Sequence, residues 1–134
     1  MDKFNRRVLE IHAQVCKALA HPVRLHILDL LRRGPTTPAE MAEQIGVSRT
    51  NISQHLAVMR HAGLVRAVRE GTSLRYQVSD PRLLECCCAL RDLVRAQLRA
   101  SAELARHGAG LFEQTRRAVR RTRSQAAASD VARK

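Results

Sequence analysis

Aromatic side chains are nearly missing from this 134-residue sequence: two Phe, one Tyr and no Trp, 2% in all. Stacking on aromatic platforms is therefore excluded as a main way of holding single-stranded nucleic acid. Acidic residues are scarce as well, 12 Asp and Glu against 24 Lys and Arg. No run reaches the ~18 apolar residues that suggest a membrane-spanning helix. The N-terminus has no apolar segment of the signal-peptide kind. A cytoplasmic protein that binds no membrane is the expectation, in a compartment where thiols stay reduced. The four cysteines, Cys16, Cys86, Cys87 and Cys88, are then not expected to form structural disulfides. No nucleophile–base pair or phosphate-cradling loop stands out, which argues against an enzyme.

What remains is a basic chain with a normal core. Hydrophobic residues make up 45%, enough for one domain of this size. The net charge of +12 favours a polyanionic partner, nucleic acid first.

Helical periodicity and punctuation divide the chain. Phe4, Val8, Ile11, Val15 and Leu19 recur at helical spacing and predict a helix over 3–19. His21-Pro22 breaks it and opens a second helix carrying Leu25, Leu28 and Leu31, which Gly34-Pro35 stops. Thr37-Pro-Ala-Glu40 is a capping box with proline at the first helical position. The short helix it opens ends at Gly46, and Ser48 caps the next one, which runs to about His61. Two strands follow, 64–69 and 74–78, around a Glu70-Gly71-Thr72-Ser73 turn. Leu74, Tyr76 and Val78 alternate with Arg75 and Gln77, the period of a half-buried strand. Asp80-Pro81 opens a long last helix to about Arg106. Gly108-Ala-Gly110 interrupts it; a short basic helix and an Ala/Ser-rich, fraying end are expected beyond.

The predicted fold is mainly α with a β-hairpin wing (α+β), in the order α-α-α-α-β-β-α. It divides into a core over 1–106 and a basic, partly disordered extension over 107–134. Residues 37–61 have helix-turn-helix form. Small Ala42 lets the two helices approach, Gly46 makes the turn and Ile52 plugs the shared core. Met41, Ile45, Val47, Leu56 and Met59 complete the apolar face. The other face is polar: Ser48, Arg49, Thr50, Asn51, Ser53 and Gln54 cluster at the N-terminal end, where a recognition helix meets base edges. Arg pairs with guanine and Gln or Asn with adenine. Arg49, Thr50, Ser53 and Gln54 are the expected base readers. Ser48 is expected as cap and phosphate ligand. His55, at the buried border, is either a phosphate contact or a packed, orienting histidine. Arg66, Arg69 and Arg75 flank the glycine turn and suit phosphate or minor-groove contact by the wing.

Four separated stretches together resemble the ArsR/SmtB family of metal- and stress-responsive winged-helix repressors. They are Ala18-Leu-Ala-His-Pro-Val-Arg-Leu-His-Ile-Leu28, Ser53-Gln-His-Leu56, Ala62-Gly-Leu-Val65, and Arg69-Glu-Gly71 with Tyr76. The resemblance covers about residues 8–98. It implies a homodimer formed by the first and last helices, double-stranded operator DNA as partner, and repression relieved by an effector. The family's usual sensor sites are not matched. Residues 38–45 lack paired cysteines, Asp80 lacks histidine partners, and Asp29 stands where redox-sensing members carry a cysteine.

The cysteines are the candidate sensor. Successive helical residues are about 100° apart. Against a stripe of Leu83, Leu90, Val94 and Leu98, Cys87 falls inside, Cys86 at the edge and Cys88 well off it. Three thiols cannot share one ion from an intact helix. Two adjacent ones can, with Cys16 as a third, since the resemblance implies that the first helix packs beside the last. Such a set suits As(III) or Sb(III), or with other ligands Zn(II) or Cd(II). Burial as small hydrophobes is the competing reading, and a thiol-oxidation or persulfide switch the competing chemistry. A winged-helix packaging or protein-interaction module without a sensor is the competing function. Residues 106–134 carry eight Lys/Arg and two acids, and suit either flanking phosphates or a merely solvated tail.

Overall fold

A computed structural model describes residues 1–106 and 111–132. The Gly108–Gly110 interruption, His107, Arg133 and Lys134 lie outside them. Residues 1–86 and 87–134 form two compact units.

The first unit begins with α1 (Lys3–Leu19), α2 (Pro22–Leu31), α3 (Pro38–Ile45) and α4 (Arg49–His61). Each start is written locally. Asp2 accepts from the Asn5 amide at 2.8 Å, and the His21 ring accepts from the Val23 amide at 3.1 Å. The Thr37–Glu40 capping box closes in both directions, at 3.1 and 3.2 Å. Gly46 ends α3 at φ 81°, a left-handed angle that a Cβ would strain.

Strands β1 (Val65–Glu70) and β2 (Ser73–Val78) pair antiparallel, with Glu70 opposite Ser73. Gly71 takes φ 63° at the first position of the two-residue turn, where a type II′ hairpin requires it. The outer edge of β2 is not bare. Thr36 and Tyr76 exchange backbone hydrogen bonds at 3.1 and 2.9 Å, which anchors the hairpin to the loop before α3. The expected in–out alternation of β2 is absent: Leu74 is exposed while Arg75, Tyr76, Gln77 and Val78 are all half-buried. A two-stranded ribbon tied on one edge has no sheet face to sort them.

The core lies between α2, α3 and α4. Ile27, Leu28, Met41, Ile52, Leu56 and Met59 are its fully buried large side chains. Ile45 and Val47 are half-buried at its margin, and Leu25 is exposed, so Ile27 and Leu30 take the inward role expected of it.

Helix α5 (Arg82–Arg106) follows. Asp80 holds its start, accepting from the Arg82 amide at 2.9 Å and pairing with its guanidinium at 2.6 Å. Hydrogen bonds from Arg82 hold the Asp80 pKa down at about 2. Beyond the interruption, α6 spans Leu111–Val131. The short helix and fraying end expected there are thus one long helix: Ala126, Ala127 and Ala128 are strong helix formers that carry it past Arg123. No helix among the described residues is long and apolar enough to cross a membrane.

Candidate nucleic-acid interface

Helix α4 sorts its side chains by turn. Ile52, Leu56 and Met59 are buried, and the opposite side presents Arg49, Thr50, Ser53, Gln54, Ala57 and Arg60 to solvent. Ser48 caps the helix, its Oγ accepting from the Asn51 amide at 3.0 Å. That leaves the other amides of the first turn aimed outward, a favourable setting for phosphate.

Two other residues of the predicted DNA-binding set, Asn51 and His55, are half-buried. Asn51 is half-buried, and its Oδ1 is sealed from solvent without a hydrogen bond. It stands one turn before His55, on the same flank of α4. His55 packs against His21, ring centroids 4.3 Å apart and planes tilted by 44°. His21 in turn caps α2. The His55–His21 contact joins α4 to the start of α2.

Burial, then the neighbouring charges of His21 and Arg24, push the His55 pKa below 6.5. The fold thus favours the neutral ring. That stability is present above pH 6.5 and is lost as pH falls through the lower folded-state value. A thermal melt should be flat from pH 8 to 7 and fall as the pH drops below 6.5. In His55→Gln that acid limb should shrink; an unchanged limb would place the proton uptake elsewhere.

The wing arginines divide as well. Arg66 lies opposite Gln77 in the ladder. With the amide oxygen facing it, Gln77 accepts from Arg66 Nε at 2.7 Å and from its terminal nitrogen at 2.6 Å. Arg66 stays exposed, as does Arg69, which makes no ion pair among the described residues. Arg75 differs. It pairs with Glu70 at 2.8 Å, approaches Glu40 at 4.0 Å, and donates to the Pro35 carbonyl at 3.2 Å. These partners tie the hairpin to α3 and to the loop before it.

Between α4 and β2 runs an open groove of about 550 Å³ lined by Ser53, Ala57, Arg60, His61 and Tyr76. Sequence reasoning does not single out Arg60. The helical period could have found it, since it follows Ser53 and Ala57 at i+7 and i+3 on one face.

The cysteines form no disulfide. Cys86 and Cys16 are exposed, while Cys87 and Cys88 are half-buried. Cys88 is thus as shielded as Cys87, although it points off the predicted stripe. Among the described residues no three His, Cys, Asp or Glu side chains gather in an arrangement that could hold a metal ion. Leu90, Val94 and Leu98 are themselves exposed, at 62%, 44% and 57%, together with Leu93 at 54%. On α1, Phe4, Val8 and Ile11 are exposed while Ala18 is buried, so only the C-terminal end of that helix packs on the unit.

A helix-turn-helix domain family matches residues 19–68. A "probable mercury resistance operon repressor" of Streptomyces lividans is 41% identical over 81 residues, 60% of this chain and 65% of that protein. The chain therefore spans just under two thirds of that relative's length. The transcriptional regulator CmtR of Mycobacterium tuberculosis is 40% identical over 86 residues, 64% of this chain and 70% of CmtR. A homodimeric winged helix-turn-helix DNA-binding domain of Mycobacterium bovis, described as a possible ArsR-family regulator, superposes with a TM-score of 0.68 at 31% identity. The match covers 73% of this chain and 91% of that one.

Proposed function

The chain belongs to the ArsR/SmtB family of winged helix-turn-helix DNA-binding transcriptional regulators, and we propose that it is a dimeric, cytoplasmic repressor released from its operator by a thiophilic ion. The observation that carries the DNA-binding half is the exposed polar side of α4, with Arg49, Thr50, Ser53 and Gln54 at its N-terminal end. In this reading those four side chains meet base edges in the major groove. Ser48, Arg60, Arg66 and Arg69 hold the phosphates on either side, and Arg75 fixes the angle of the wing. Two copies present two such helices to half-sites about one helical turn, ~34 Å, apart.

The effector half rests on Cys86 and Cys87. Cys86 is exposed and Cys87 half-buried. Cysteine sulfurs are the soft donors that thiophilic ions prefer. Two adjacent thiolates offer half of a site; Cys16 or cysteines of the second copy supply the rest. The mercury-repressor relative supports this chemistry. Release follows if the ion binds the DNA-incompetent arrangement of the dimer more tightly; a 100-fold preference corresponds to about 2.7 kcal/mol of coupling.

A gel-shift on the DNA upstream of the chain's own gene tests both halves. The arms are no addition, Hg(II), As(III), Sb(III), Cd(II), Zn(II) and a persulfide donor. Release by a thiophilic ion, lost in Cys86→Ser/Cys87→Ser, is expected. Release by the persulfide donor alone would replace the ion with a redox switch. Failure to footprint any preferred pair of half-sites would sink the repressor itself.

A further inference from the structure

Helix α6 is not used by the reading head, yet it holds the densest charge in the chain. Arg116, Arg117, Arg120, Arg121 and Arg123 fall within eight residues, and from Gln114 to Ser129 there is no acid. At about 100° per residue, Arg116, Arg120 and Arg123 lie within about 60° of one another. Arg117 and Arg121 extend the same side to about 160°. Every side chain from Arg116 to Ala132 is exposed. Arg116, Arg120, Arg121 and Arg123 have no ion-pair partner among the described residues.

The rest of the helix offers little else to bind. Thr122 and Ser129 turn their hydroxyls back to the carbonyls of Ala118 and Gln125, at 3.0 and 2.9 Å. Val119 and Val131 are its exposed large apolar residues among those described, and they make no stripe. A lipid surface or a partner helix needs such a stripe beside the charges. A phosphate backbone does not. Residues 116–123 rise about 10 Å along the helix. That length of duplex carries about six phosphates at one per ~1.7 Å of axis. Charge density therefore matches charge density.

We propose that α6 is a second DNA-binding element, which grips the phosphate backbone without reading sequence. It raises affinity for operator and non-operator DNA by the same factor. Base discrimination stays with α4.

The test is the salt dependence of binding by the full chain. Wild type is compared with Arg116→Gln/Arg120→Gln/Arg123→Gln, in which glutamine keeps helix propensity. The same three positions changed to lysine keep the charge. Binding is measured from 50 to 200 mM KCl on the upstream duplex and on a scrambled duplex of equal length. When three arginines no longer neutralise phosphates, the slope of log affinity against log salt should become shallower by about 2.7. Across that fourfold salt range wild type should then lose about 40-fold more affinity than the glutamine variant. The ratio between the two duplexes should not change, and the lysine variant should keep the wild-type slope. An unchanged slope in the glutamine variant overturns the proposal. So does a shallower slope in the lysine variant, which would mean a structural role. Vesicles of 30% phosphatidylserine in phosphatidylcholine form a separate arm. Arginine-dependent binding to them, with an unchanged DNA slope, assigns α6 to a membrane surface instead.

Discussion

Leu90→Glu/Leu98→Glu is expected to leave the protein folded, monomeric at micromolar concentration, and at least 100-fold weaker on its operator. Both leucines are more than half exposed in one copy, so their replacement removes little from the fold of that copy. With Leu93 and Val94 they form an apolar side of α5 that a monomer leaves in water. Full burial of one leucine stabilises by roughly 1.5–3 kcal/mol. A two-fold interface counts each substitution twice. A glutamate in its place must also be desolvated without a partner, or keep the interface open. Loss of the dimer then removes the linked second half-site. Sedimentation and a gel-shift read the two effects, while circular dichroism should stay as in wild type. A variant that remains dimeric would move the interface off this side of α5. Phe4, Val8 and Ile11 on α1, 75%, 47% and 45% exposed, would then be the next apolar set to test.

Ile52→Ala and Gln54→Ala should separate fold from reading, although the two residues stand two positions apart. Ile52 is fully buried among the helices of the reading unit. Its truncation should cost about 2–5 kcal/mol, from the forfeited transfer energy and the cavity left behind. Urea denaturation should show this as a lower midpoint. Gln54 is exposed, so its replacement should change stability by no more than about 0.5 kcal/mol. It should nevertheless cost about 1–3 kcal/mol of operator affinity and relax preference at one base position. Equal loss of stability in both variants would mean that Gln54 packs rather than reads. Unchanged affinity in a stable Gln54→Ala would remove it from the base-reading set.

Much of the fold is legible in the sequence, and for a local reason. Helix starts are written in neighbouring residues. Asp2, His21, Thr37 and Ser48 each hold an amide two or three positions on. The buried side of the helix-turn-helix follows from spacing alone, and Met41, Ala42, Ile52, Leu56 and Met59 are all buried. The polar row at the start of α4 is the complement of that pattern.

What the sequence could not supply depends on residues far apart in the chain. Arg75 looks like a free wing arginine until the fold brings Pro35, forty positions earlier, to its guanidinium. His55 meets the ring of His21, a contact that spacing along the chain does not show. Asn51 belongs to the polar row by type, yet its Oδ1 faces inward because that flank of α4 is covered. The sequence by itself determined helices α1 to α5, the hairpin and the caps of α3 and α4, since those rest on interactions within one or two turns. Only the tertiary structure decided which polar groups stay free to meet DNA, because desolvation and ion pairing are set by neighbours that chain order does not reveal.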